Sequence, residues 1–126
     1  MKVICNEFSV NSKDTCITHL EVDKVYHVFE IFFEPSRGIF YRIIKDHKEP
    51  GYVSMALFPS SCFTVVSTVV PSNWGIKIYS GGDVSISPVN WLRDGFYEEF
   101  YDSVESDEIY KIFEIERDII MAEDPL

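Results

Sequence analysis

The sequence predicts a single-domain α+β fold, and three observations carry that prediction. Short apolar runs with two-residue alternation occupy the first part of the chain, clusters of turn-forming residues separate them, and the last part switches to helical spacing. At 126 residues the chain is one domain long and can bury a core without disulfides or a structural metal. A hydrophobic content of 46% with 15% aromatics sets it apart from disordered sequences.

Met1 to Asn6 reads as a short strand, and Asn11-Ser12-Lys13-Asp14-Thr15 as a polar loop. Lys24 to Phe33 is rich in Val, Phe, Ile and Tyr. Its Val25, Phe29, Ile31 and Phe33 share one phase of an alternating pattern, which predicts one strand. Glu34-Pro35-Ser36-Arg37-Gly38 predicts a hairpin loop. The returning strand, Ile39 to Lys45, has Phe40, Arg42 and Ile44 on one face and Tyr41 and Ile43 on the other. After a turn at Asp46 to Gly51, Tyr52 to Ala56 is a third strand. Phe58-Pro59-Ser60-Ser61 is a tight or 3₁₀ turn, and Phe63 to Val66 is a further strand. Pro71 to Gly75 is a junction. Gly75 to Tyr79 and Val84 to Ser87 form a hairpin around Ser80-Gly81-Gly82-Asp83, where glycine supplies positive φ, and Pro88 ends the ribbon. Beyond it, Phe96 and Phe100 stand at i, i+4. Ile109, Ile112, Phe113, Ile119 and Ile120 keep helical spacing, with Glu114, Arg117 and Asp118 outside. Asp102 or Ser106 is placed to cap that helix.

The first half carries a resemblance. Lys24-Val25-Tyr26-His27-Val28, the hairpin, Tyr41-Arg42-Ile43-Ile44-Lys45-Asp46, a strand from Tyr52, the Leu57-Phe58 turn and a final strand resemble in order the small SH3-like barrels of bacteria and phages. The resemblance implies an antiparallel SH3-like barrel over residues 1–67, followed over 68–126 by a β-ribbon and an acidic C-terminal helix. Pro59-Ser60-Ser61-Cys62 departs from that pattern as an insertion before the last strand. In size, acidity and aromatic richness the second half, with Trp91 and Gly95-Phe96-Tyr97-Glu98-Glu99-Phe100-Tyr101-Asp102, is similar to immunity proteins that guard bacteria against their own toxins.

Several chemistries have no support in the residues. His19, His27 and His47 are scattered, so no metal-ligand spacing arises, and neither Ser60 nor Ser61 lies in a nucleophile-elbow frame. A Cys62–His pair lacks the local signature such nucleophiles carry. The glycines at 81–82 precede a strand, where a phosphate cradle would open a helix. No catalytic residue, metal or cofactor is therefore expected. Cys5, Cys16 and Cys62 make an odd set without a secretory signal, and no apolar run is long enough to span a membrane. A cytoplasmic protein with no membrane partner is the expectation.

Charge is the informative property. The chain carries −10 overall. Residues 93–126 hold twelve acids and three bases, a balance of −9, against −1 for residues 1–92. Such a tail repels nucleic acid and attracts a basic protein. The expected partner-binding surface is Tyr97, Glu98, Glu99, Tyr101, Asp102, Glu105, Asp107 and Glu108, with tyrosines supplying contact area and carboxylates supplying steering. The partner this implies is a basic protein, such as a toxin domain covered by this surface. The alternative is a generic SH3-like interaction module that holds a peptide on Tyr26, Phe40 or Tyr41. Trp91 is expected in the core, and Trp74 is open between core and contact surface.

Overall fold

A computed structural model describes residues 1–6, 20–45, 54–102 and 107–126. The predicted turns at 11–15 and 46–51, His19, His47, Cys16, Ser106 and Glu105 lie outside the described residues.

The described strands are β1 (Lys2–Cys5), β2 (Val25–His27), β3 (Glu30–Glu34), β4 (Gly38–Lys45), β5 (Ser54–Pro59), β6 (Phe63–Ser67), β7 (Trp74–Ile78) and β8 (Val84–Pro88). They are followed by helices α1 (Phe96–Asp102) and α2 (Asp107–Glu123). Single 3₁₀ turns sit at Ser60–Cys62 and Val89–Trp91. The class is α+β, with every pairing antiparallel.

The strands divide into two open sheets, a three-stranded one ordered β2-β1-β6 and a five-stranded one ordered β5-β4-β3-β8-β7. Among the described residues, the strands of the barrel expected over residues 1–67 do not close. β3 takes β4 as one neighbour and β8, from the ribbon beyond residue 67, as the other. The ribbon thus completes the large sheet instead of following a finished barrel.

The predicted strand at Lys24–Phe33 divides for the same reason. β2 ends at His27, and Val28 and Phe29 carry the chain from the small sheet to the large one. Both residues are buried, Val28 in one core and Phe29 in the other, so an unbroken apolar run conceals a change of sheet. The hairpins follow their turn chemistry. Gly38 ends the β3–β4 turn at φ 94°, and Gly82 lies in the β7–β8 turn at φ 91°, the left-handed region that side chains avoid.

Each face of the large sheet covers its own core. One is packed by Val3, Cys5, Tyr26, Ile43, Phe58, Cys62 and Phe63 under the small sheet. The other holds Phe29, Met55, Trp91, Phe96, Ile109, Phe113 and Ile120 beneath the helices. Trp91 is its centre. Its ring stacks on Phe96 at 5.7 Å and on Phe113 at 5.5 Å, joining the turn after β8 to both helices. Trp74, open in the sequence, is half-buried and touches both cores.

Replacing Trp91 with Ala removes the ring shared by both helices and is expected to cost about 3–5 kcal/mol. Urea titration followed by circular dichroism checks this. Val89→Ala, exposed on the same turn, serves as the reference and is expected to move stability by less than about 0.5 kcal/mol.

Candidate functional site

The sequence singles out the α1 corner, and the structure shows what holds it. Glu30 on β3 and Arg42 on β4 are register partners, so both side chains leave the sheet on the same face. Arg42 Nε donates to Glu30 Oε1 at 2.9 Å. Ser85 on β8 donates its hydroxyl to the other Glu30 oxygen, and its hydroxyl lies 3.4 Å from that of Ser87. Glu30 is 2% exposed and Arg42 8%. Two opposite charges are thus taken out of water together.

α1 closes over this pair with two tyrosines. The Arg42 guanidinium carbon lies 3.9 Å from the centre of the Tyr97 ring. Arg42 Nη1 donates to the Tyr101 hydroxyl at 3.0 Å, and that hydroxyl donates to the Met55 carbonyl on β5. Burial opposes the charge on Arg42, but the facing Glu30 carboxylate and the two tyrosines keep its pKa above the usual value. Burial likewise pushes the Tyr97 and Tyr101 phenols above their ordinary range. The Tyr97 hydroxyl is enclosed beside Ser87 without a hydrogen bond of full geometry.

The structure therefore separates the residues that the sequence groups. Tyr97 turns into the protein. Tyr101 does both jobs, its hydroxyl tied inward while 46% of the residue stays exposed. Glu98, Glu99 and Glu108 face solvent. Arg93 grips Glu99 through both nitrogens, at 2.7 and 3.2 Å, and this hydrogen bond holds the Glu99 carboxyl below its usual pKa. The charge of Glu108 adds to the field on Arg93, so the start of α2 belongs to the same corner. Asp102 ends α1 and Asp107 begins α2, and their side chains lie outside the described residues, as Glu105 does entirely.

Elsewhere several acids of the tail work as structural ties. Asp94 pairs with Lys77 of β7, whereas Asp118 pairs locally with its neighbour Arg117. Glu116, buried in α2, accepts from the side-chain amides of Asn90 and Asn73 at 2.7 Å each, which fastens the helix to the ribbon. Glu123 accepts from both the backbone and the hydroxyl of Ser72. Asp124 meets Ser67 at 2.7 Å and Lys2 at 3.3 Å. Burial opposes its ionisation, yet hydrogen bonds from Ser67, the chain amine and Lys2 hold its pKa low. Among the described residues of the tail, Asp94, Glu116, Glu123 and Asp124 are thus tied to partners elsewhere in the chain, while Glu98, Glu99 and Glu108 gather at the α1 corner.

The sequence reading missed Glu30 and Arg42. A signal was present, since the two are equidistant from Ser36 in a hairpin of apolar strands. His27 binds the Asp124 carbonyl through Nε2 at 2.7 Å, and Cys5 and Cys62 are buried. Among the described residues, no three of His, Cys, Asp or Glu are grouped to hold a metal ion, and no helix is long and apolar enough to cross a membrane. Compared with known proteins, the chain matches no protein family, no curated protein and no solved structure.

Arg42→Ala leaves Glu30 buried without its cation and is expected to cost about 3–5 kcal/mol. The pair replacement Glu30→Leu with Arg42→Met removes both charges and is expected to recover most of that loss. Denaturant midpoints of the three proteins check the order.

Proposed function

We propose that this chain is a non-catalytic acidic binding protein that neutralises a basic toxin domain, such as a nuclease, by covering its active-site cleft. The observation that carries the reading is a division of labour on α1. One side is fixed to the sheet through Arg42, while Glu98, Glu99 and part of Tyr101 are exposed, with Glu108 near Arg93 at the same corner. A cleft that binds a polyanion is basic, and carboxylates on a rigid helix match its charge. Because α1 is already ordered, docking loses little conformational entropy. Tyr101, one turn on from Glu98 at the edge of the charged group, adds apolar contact of the kind interface tyrosines supply.

In this reading the two sheets are the scaffold. Their grouping of short antiparallel strands is as near as the fold comes to a small SH3-like barrel, and their task is to hold Glu30, Arg42 and Ser85 at the register that receives α1. The proposal places the protein in the cytoplasm, where it would meet a toxin that has entered or has not yet left.

The test uses a basic toxin domain encoded beside the gene for this chain. Binding is measured by calorimetry at about 0.1 M and about 0.5 M salt, with toxin activity read in parallel. The expected result is tight binding that weakens steeply with salt and is lost in the triple variant Glu98→Lys, Glu99→Lys, Glu108→Lys. Tyr101→Phe, which keeps the ring, is expected to bind within about fivefold of the parent. Full neutralisation by the triple variant would remove this surface from the account.

A further inference from the structure

The large sheet extends past the small one, and the part left over is apolar. The strand register sets Ile78, Val84, Phe33 and Ile39 in one row across β7, β8, β3 and β4, on the face opposite the helices. The next row runs Ile76, Ile86, Ile31 and Tyr41. Tyr41 and Ile31 disappear under the small sheet, where Tyr41 meets the Phe63 ring at 6.0 Å. Towards β7 that cover runs out. Ile76 is 67% exposed and Ile78 72%, with Phe33 at 39% and Ile39 at 45%. Among the described residues β7 is also the edge of its sheet, paired with β8 alone.

Isolated exposed aliphatic residues need no explanation, but this is a contiguous row ending at a strand that has no further partner among the described residues. We propose that this face is where a second copy of the chain docks, the two large sheets packing face to face about a two-fold axis. The disposition of charge favours a second copy. The chain carries −10, so two copies repel each other wherever their acids meet. Twelve of its twenty-one acids lie in residues 93–126, and the helices of that segment cover the other face of the sheet. The rows named above contain no charged residue. Face-to-face packing therefore sends the two acidic layers to opposite ends of the dimer.

Area points the same way. The four exposed residues leave on the order of 400 Å² of apolar surface per copy, the range in which patches on single chains are functional. Two such patches with their rims reach roughly 1,000 Å², the lower limit for a specific interface. Sheets packed in this manner stand about 10 Å apart, a gap that Ile, Val and Phe side chains from both copies fill. A two-fold contact is self-complementary, and an apolar row satisfies that requirement without matched charges.

The test is sedimentation equilibrium of the full chain from about 1 μM to about 500 μM, at low and high salt. The expected result is a monomer–dimer equilibrium that strengthens as salt rises, because screening relieves repulsion while apolar contact persists. That sign is opposite to the one expected for the α1 surface, so the two ideas fail separately. Ile78→Asp and, independently, Ile76→Lys are expected to weaken dimerisation at least about tenfold with an unchanged circular dichroism spectrum. Glu98→Lys is expected to leave dimerisation in place. A chain that stays monomeric at the highest concentration overturns the proposal, including the case in which the face serves a different protein. So does a dimer that both Ile variants leave intact.

Discussion

A buried arginine must be given a counter-charge, and in this protein that requirement organises the helical half of the molecule. Arg42 is brought inside by the alternation of β4 and receives Glu30 from the neighbouring strand. The remaining donors and faces of the guanidinium then need partners, because a buried charge with unfilled hydrogen-bonding capacity is costly. Tyr101 takes one donor and Tyr97 covers one face, and both lie on α1. Ser85 completes Glu30 from a third strand. Three strands and a helix are therefore bound into one polar cluster beside an aromatic core, and the seven-residue α1 keeps a fixed orientation that so short a helix does not hold by itself.

The acidity of the tail divides into two roles. Asp94, Glu116, Glu123 and Asp124 close the structure, each on a partner from a strand, turn or loop elsewhere in the chain. Glu98, Glu99 and Glu108 remain at the surface. Net charge alone makes no such distinction. Glu98 and Glu99 are carried on a helix fastened from below. Glu99 illustrates the balance, for Arg93 fixes its direction while the side chain stays half exposed.

Much of the fold was legible because local chemistry decides it. The β3–β4 and β7–β8 hairpins follow from glycine turns between alternating strands, and α2 follows from the spacing of Ile109, Phe113 and Ile120. The change of sheet at Val28-Phe29 was not legible. Both residues are apolar and buried, and only long-range pairing of β3 with β8 separates them from the strand before. The same change of sheet leaves the expected barrel unclosed among the described residues. In the site, residue types were readable and directions were not. Tyr97 and Tyr101 stand out as contact residues by composition, yet Arg42, four residues beyond the Gly38 that ends the β3–β4 turn, draws them inward. Glu116 shows the same limit, because helical spacing leaves it next to the exposed Ile115 while Asn73 and Asn90 keep it buried.

The central claim is that Arg42 holds α1 in place through Tyr101. A double-mutant cycle with Arg42→Met and Tyr101→Phe, read as denaturation free energies, measures that link directly. The account predicts a coupling of at least about 1 kcal/mol, with the second change costing far less once the first is made. Strict additivity of the two substitutions would contradict it.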